Sequence, residues 1–285
     1  MKKILAFILM AVMALSLAVA FTSCGEDETK VKVIDVKLTD EQYAFVVKKG
    51  NTELQSDFKA FLTKIKGNGE FDKYVDKYFK GEGTKVGYAV STGDVTNTAE
   101  NLVVATNCPF EPFEYLGDDG KAYGLDIEIA AAYAAEKGLT LVIKNIEFDA
   151  IFTQVDAGYA DIGMAGITAS ESRKVSYDFT DNYYEASQKL IVPAECTDFD
   201  ECKTVADVEK VLKGLTGKTV GYQTGTTGGL YINGDEDWEF DGFPNITGKG
   251  YTTAVDAAND MINGNIYAVI VDSAPADAIA KALNK

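Results

Sequence analysis

The stretch with the most chemical reach is AGITASESRKVSYDFTDNYY, Ala165 to Tyr184. Arg173 within it is the only arginine in the chain. Gly166 and Thr168 stand where an alternating apolar run, Tyr159 to Met164, ends, and that run predicts a buried strand. Backbone N–H groups, a hydroxyl and a guanidinium at a strand end make a trap for a carboxylate. The planar guanidinium fork matches a carboxylate in two parallel hydrogen bonds, which lysine cannot do. Pairing of Arg173 with a nearby aspartate is the plainer alternative. The other candidates fall at comparable places. Asn107 and Phe110 follow a buried strand, Phe148 opens a helix after another, and Asp272 ends a third. The Gly-rich run QTGTTGG, Gln223 to Gly229, opens a helix, which suits an anion but carries no phosphate-loop or dinucleotide fingerprint.

Composition removes several kinds of chemistry. The chain has no histidine, so Ser-His-Asp, Cys-His and histidine-ligated metal sites are excluded. It carries 44 acidic against 27 basic residues, formally −17, so nucleic acid is not an expected partner. Four cysteines are too few and too scattered for a disulfide scaffold, although Cys196 and Cys202 could close one short loop. Cys108, beside the candidate site, reads as a small buried apolar residue before it reads as a reactive thiol. The acidic run Asp235–Glu239 reads as a solvated loop, with a cation site as the sharper alternative. No cofactor and no metal site is expected.

The elements that must position these residues alternate. Val31–Leu38 and Tyr43–Lys49 read as strands. Leu54, Phe58, Phe61, Leu62 and Ile65 fall at helical spacing after the Asn51-Thr52 cap, and Phe71–Phe79 forms a second helix. Gly81–Glu100 lacks any period and reads as a linker. From Asn101 onward strands at 102–106, 139–146, 159–164, 189–193, 219–222 and 267–271 alternate with helices at 126–136, 148–157, 205–212, 254–262 and 275–283. A hairpin turns about Asp118-Asp119-Gly120. This order predicts an α/β fold in which ligands lie at the carboxyl ends of the strands.

The first residues read as a leader. Met1–Lys3 is basic and Ile4–Ala20 is apolar without a charge, which fits a secretory signal peptide over residues 1–23. The sequence FTSC, ending at Cys24, resembles the lipobox of bacterial lipoproteins. That implies lipidation of Cys24 and a tether over residues 24–30, anchoring the protein to the membrane without spanning it. Phe21 departs from the usual leucine, and a cut after Ala18-Val19-Ala20 would instead release a soluble secreted or periplasmic protein. Either way the location is extracytoplasmic.

From Asn101 onward the chain resembles the substrate-binding proteins of amino-acid ABC importers, the polar amino acid, or family 3, extracellular solute-binding proteins. The stretches that carry this are LVVATNCPFEPFEY, GLDIEIAAAYA, IEFDAIFTQVDAGYADIGMAGIT, the FTDNYY that follows Arg173, KTVGYQTGTT and IYAVIVDSAP, in the family's order. The segment that ends such proteins stands here at the front, as Thr39–Gly83, and the chain stops at Lys285 where that segment should begin. The resemblance therefore implies a type II periplasmic-binding-protein fold, circularly permuted, with the ligand cleft between two lobes. Lobe 2 would contribute a strand over 31–38, which leads into the first hinge crossing. Lobe 1 would span 39–187, including a permutation linker at 81–100. The second crossing would lie at 188–193 and the rest of lobe 2 at 194–285.

Carried over residue by residue, the resemblance implies that Arg173 binds the α-carboxylate of an amino acid with Thr168 and the Gly166 backbone beside it. Asp272 would take the α-ammonium, Thr227 would offer an N–H to the carboxylate, and Phe110 and Phe148 would hold the side chain. Taken alone, Asp272 could be a helix cap, Thr227 a cap, and the two phenylalanines core. Asn107 and Gln223 stand where the family varies with ligand. Both are neutral, so a neutral polar amino acid such as glutamine is expected, with basic amino acids or cystine as alternatives. The expected protein is a monomer that hands its ligand to an ABC permease without transforming it. A dehydratase-like enzyme or a sensory receptor on the same fold are the readings from other classes.

Overall fold

In the computed structural model the described residues run from Thr29 to Lys285, apart from Asp94, Thr96 and Asp237. The leader and Cys24 lie outside them. Among the described residues no helix is long and apolar enough to cross a membrane.

Two five-stranded sheets form the centres of two lobes. The first has the order 140–145, 101–106, 162–163, 46–48, 177–179, and the second the order 31–34, 188–193, 268–272, 218–223, 246–251. In each, the strands that carry the site are parallel and the remaining pairs are antiparallel. Asn101–Thr106 runs parallel to both neighbours, and Lys218–Gln223 does the same in the second sheet. The parallel strands of each sheet therefore point their carboxyl ends the same way. Helices cover the sheets: Thr52–Gly67 and Leu125–Lys137 pack together in the first lobe, where Phe58 stacks on Tyr133 at 3.9 Å. Burying the Phe58 ring alone contributes about 2 kcal/mol.

The chain passes between sheets at two adjacent places. Val31–Ile34 lies in the second sheet, antiparallel to Gln188–Pro193, and the chain then enters the first lobe through Glu41–Tyr43. It returns after Tyr184–Ala186, which pairs antiparallel with Glu41–Tyr43. The two passages are bonded to each other. The Leu38 N–H donates to the Gln188 carbonyl (2.9 Å), and the Gln188 N–H donates to the Thr39 hydroxyl (2.9 Å). Gln188–Pro193 belongs to the second sheet along its whole length.

The ends of the described chain also meet. The Asn284 side chain accepts from the N–H groups of Lys30 (2.8 Å) and Val31 (3.0 Å) and donates to the Val31 carbonyl (2.9 Å). The stretch 81–100 has no regular element, yet it lies against the first lobe. Tyr88 bridges to Ala122, Val90 to Ile143, and the Asn97 amide donates to Asp161 (2.6 Å).

Two local expectations change, and two elements are ones the sequence leaves unassigned. The run read as one strand over 43–49 is two short strands, 41–43 and 46–48, and Tyr43–Val47 is buried throughout, so no alternation marks the break. The second helix read at 71–79 widens into a π turn at Asp76–Lys80. Arg173 sits on a helix, Glu171–Ser176, that has no buried residue and so no apolar stripe to betray it. The edge strand Ile246–Tyr251, ITGKGY, is half exposed and glycine-containing, and the sequence pattern does not reveal it.

Candidate functional site

The cleft between the lobes is built from loops at strand ends. Thr106 ends the strand Asn101–Thr106 of the first sheet, and Asn107 and Phe110 follow it. Asn107 donates from its amide to the Ile146 carbonyl (2.6 Å), which ties this loop to the one that ends in Phe148. Phe148 is the first residue of the helix Phe148–Asp156. Gly166 has φ +54°, and a Cβ there would lie 2.5 Å from Cε1 of Phe110, so only glycine lets the backbone approach that ring. From the second lobe come Gln223, at the end of Lys218–Gln223, Thr227, at the start of Thr227–Asn233, and Asp272, at the end of Ala268–Asp272.

All nine residues singled out in the sequence line one narrow cavity between the lobes. Glu114, Ala165 and Thr226 line it as well. Asp272 occupies the cap position of Ser273–Leu283, but its carboxylate makes no capping bond. It accepts instead from the Tyr43 hydroxyl (2.6 Å), across the lobes. Thr227 is not the cap of its helix, which is Thr226, and its hydroxyl accepts from the Gln188 amide (3.1 Å).

Arg173 is partly buried and lies over two rings, with its guanidinium carbon 5.5 Å from the centroid of Phe148 and 5.0 Å from that of Phe152. Such stacking suits a cation held away from water. The fork donates to the Thr168 carbonyl (2.8 Å) and, across the cleft, to the Gly225 carbonyl (2.9 Å). No carboxylate pairs with it directly among the described residues, so the plainer reading of Arg173 as one half of a salt bridge does not hold. Two acids nonetheless act on it from a distance, Glu41 and Asp272. A second contact across the cleft runs from the Gln223 amide to Asn107 Oδ1 (2.6 Å).

Sequence reasoning missed three acids. Glu41, buried at the first passage between lobes, accepts from the hydroxyls of Thr39 and Thr168 (2.6 Å each) and from the Gln188 amide (3.2 Å). Asp126, at the start of Leu125–Lys137, is fully buried and accepts from the Tyr183 hydroxyl (2.7 Å) and the Gly166 N–H (3.1 Å). That bond fixes the Gly166 backbone where it faces the cleft. Glu114 is 1 % exposed and neither of its carboxyl oxygens has a hydrogen-bond partner. Asp126 comes close to it without a hydrogen bond of ordinary geometry.

Burial sets the charge of these acids. It raises Asp272 to about 7, with the nearby Glu41 charge adding to the effect and the Tyr43 hydroxyl opposing it. It raises Asp126 to about 7, against the donors Tyr183 and Gly166 and the adjoining Glu114 carboxyl. Glu114 stands well above the usual carboxylate range, through burial first and then through Asp126. Cys108 beside them is pushed up to about 12 by burial, which is the behaviour of an inert thiol. Cys196 and Cys202 are both free in the structure, so the short loop disulfide is not formed. No cluster of acids or cysteines able to hold a metal occurs among the described residues, those of the run Asp235–Glu239 included.

Two α/β lobes, joined by two adjacent passages and lining one cavity from both sides, define a two-lobe ligand-binding protein. The chain belongs to the bacterial extracellular solute-binding proteins, family 3, whose model matches residues 102–273. It is 32% identical over 174 residues to the arginine-binding protein ArgT of Corynebacterium glutamicum, which covers 60% of this chain and 54% of that protein. Among solved structures it is similar to an ancestral arginine-binding protein bound to arginine, with 30% identity, a TM-score of 0.56, and coverage of 65% of this chain and 76% of that one. An ancestral arginine-binding protein bound to glutamine matches with 30% identity, a TM-score of 0.55, and coverage of 65% and 75%. The chain spans 45% to 58% of the length of the first curated relatives it matches.

Proposed function

We propose that the protein captures a free L-amino acid in this cleft and passes it to an ABC permease, unchanged. In this reading Arg173 holds the α-carboxylate, with Thr168, Gly166 and the Thr227 N–H beside it. Asp272 holds the α-ammonium, Phe110 and Phe148 grip the side chain, and ligand contacts made to both lobes at once favour closure. The family supports amino-acid binding, and the similar proteins named for arginine and glutamine support a polar side chain.

One observation moves the preference from a neutral towards a basic ligand. Glu114 places a buried carboxyl without any partner in the same cavity as Arg173 and Asp272. A buried acid without a partner is costly, and a guanidinium or ammonium would supply what it lacks. Glutamine is the second reading, favoured by Asn107 and Gln223, whose amides already bond across the cavity. A thermal-shift screen of the twenty amino acids tests both. Arginine or lysine should give the largest stabilisation, about 3 kcal/mol at a hundredfold excess over the dissociation constant. Stabilisation by none of the twenty overturns the proposal, and recovery of a chemically altered ligand after incubation would overturn the view that nothing is transformed.

We further infer that the protein works outside the cytoplasmic membrane as a monomer, lipid-anchored through Cys24, and that its order is a circular permutation of the family's. The permutation draws support from Thr39–Gly83, which supplies a strand of the first sheet and a helix packed on Leu125–Lys137, and from the meeting of the ends at Asn284. Joining Lys285 to Lys30 by a short linker and opening the chain within Gly81–Glu100 should preserve the fold and ligand binding. A relinked chain that folds but binds no ligand would argue against it.

A further inference from the structure

Glu114 is buried, without a hydrogen-bond partner, and turned towards a cavity proposed to receive an amino acid. The groups that face it are almost all acids or acid-like. Asp126 adjoins it from the helix Leu125–Lys137, Asp272 faces it from the second lobe, and Cys108 lies on its own loop. Tyr183 lies nearby with its hydroxyl committed to Asp126. Arg173 lines the same cavity, but its fork is taken up by the carbonyls of Thr168 and Gly225. No described lysine lines this cavity. A carboxylate in such a place would stand beside other carboxylates, in low dielectric, with no cation to compensate it. It is therefore a carboxylic acid when the cleft is empty.

We propose that a basic amino acid enters this cleft in exchange for the proton on Glu114. This rests on the amino-acid reading given above. The O–H bond of the Glu114 carboxyl breaks, the proton leaves to solvent, and the resulting carboxylate pairs with the side-chain cation of the ligand, so charge in the cavity is conserved. A neutral ligand brings no such cation. It leaves Glu114 protonated, free to donate its O–H to a side-chain carbonyl and to accept from an amide. The same residue thus accommodates both kinds of side chain, but only the basic one carries a proton cost. That cost falls as pH rises, so the preference for basic over neutral ligands grows with pH.

The linkage sets the size of the effect. Affinity for a ligand that displaces one proton rises about tenfold per pH unit while the site is protonated. Asp272 also loses a proton when it takes up an α-ammonium, but that step is common to every amino acid. The difference between arginine and glutamine isolates Glu114.

The experiment is calorimetric titration of the full protein with arginine and with glutamine, in two buffers of different ionisation enthalpy, between pH 6 and 8. Arginine should release about one proton more than glutamine, and its affinity should climb with pH more steeply by about tenfold per unit. Glu114→Gln should erase that difference, leaving arginine weaker at every pH and its proton release equal to that of glutamine. If the variant does not fold, the comparison of the two ligands in the native protein stands by itself. If glutamine is not bound, the slope of arginine affinity is compared between native protein and variant. Arginine binding with the same proton release as glutamine, or with the same release after Glu114→Gln, overturns the exchange and leaves the amino-acid reading intact. Failure of every basic amino acid to bind overturns the exchange together with the basic preference, and failure of all twenty overturns the amino-acid reading itself.

Discussion

The surroundings of Arg173 and of Glu114 share one cavity yet are built on opposite terms. Around Arg173 nearly every polar atom is committed. The fork has two carbonyls and two rings, and nearby Glu41 has three donors and Asp272 has Tyr43. Around Glu114 neither carboxyl oxygen has a donor, and its close polar neighbour, Asp126, is another acid. A saturated network holds its shape without a ligand and can recognise what all amino acids share. An unsatisfied acid lowers stability and waits for a group that only some side chains carry. The contrast is one of degree, since Gln188 Oε1, beside Glu41 and Thr227, also lacks a partner.

That contrast can be broken at several points. Arg173→Ala should cost the most, about 3–5 kcal/mol of binding for every amino acid, because the ligand carboxylate is left buried without its cation. A thermal-shift screen that still responds to any amino acid would make Arg173 a structural residue. Glu41→Ala strips the acceptor from Thr39, Thr168 and Gln188, and should lower the stability of the unliganded protein by about 1–3 kcal/mol in denaturant titration. Glu114→Gln replaces a carboxyl that accepts from no donor, so the unliganded protein should be unchanged or stabilised by up to about 1 kcal/mol. A loss as large as that of Glu41→Ala would show that Glu114 has a structural partner and would erase the contrast.

The pH dependence sharpens it further. Asp126, Asp272 and Glu114 have values raised in the fold by burial, so between the ordinary carboxylate range and about 7 the folded protein binds more protons than the unfolded chain. Their contribution is present at low pH and is lost as pH rises through about 7. The unliganded protein should therefore melt higher at pH 5 than at pH 8, and Glu114→Gln should narrow that gap. A melting point that rises over the same interval would contradict the assignment. The smallest effect on the ligand belongs far from the cleft. Asn284→Ala removes three hydrogen bonds at the meeting of the ends and should cost about 1 kcal/mol of stability with no change in ligand affinity.

Much of this arrangement can be read from residue order. Asn107, Phe148, Gly166, Thr168, Gln223 and Asp272 each follow an apolar run, and in an α/β fold the carboxyl ends of such runs converge. Arg173 stands out because the chain uses lysine everywhere else. The acids do not stand out. Glu114 lies between Phe113 and Tyr115, Asp126 in the first turn of a helix and Glu41 in a polar run, places where solvated acids are common. Only the packing distinguishes a buried carboxyl from a wet one. The helix that bears Arg173 was hidden for a related reason: an element that buries nothing leaves no period in the sequence.

The clasp at Asn284 has a mechanical consequence. Any pull on the chain ahead of Lys30 meets three hydrogen bonds to Asn284 and then the four paired residues of Val31–Ile34. Four residues further on, the same strand becomes the passage at Leu38 and Thr39 that is bonded to Gln188. A pull at that end and the passage between the lobes are therefore in series, like a rope made fast to the post beside a gate. While the clasp holds, such a pull is carried by the second lobe and not by the passage at Leu38 and Thr39.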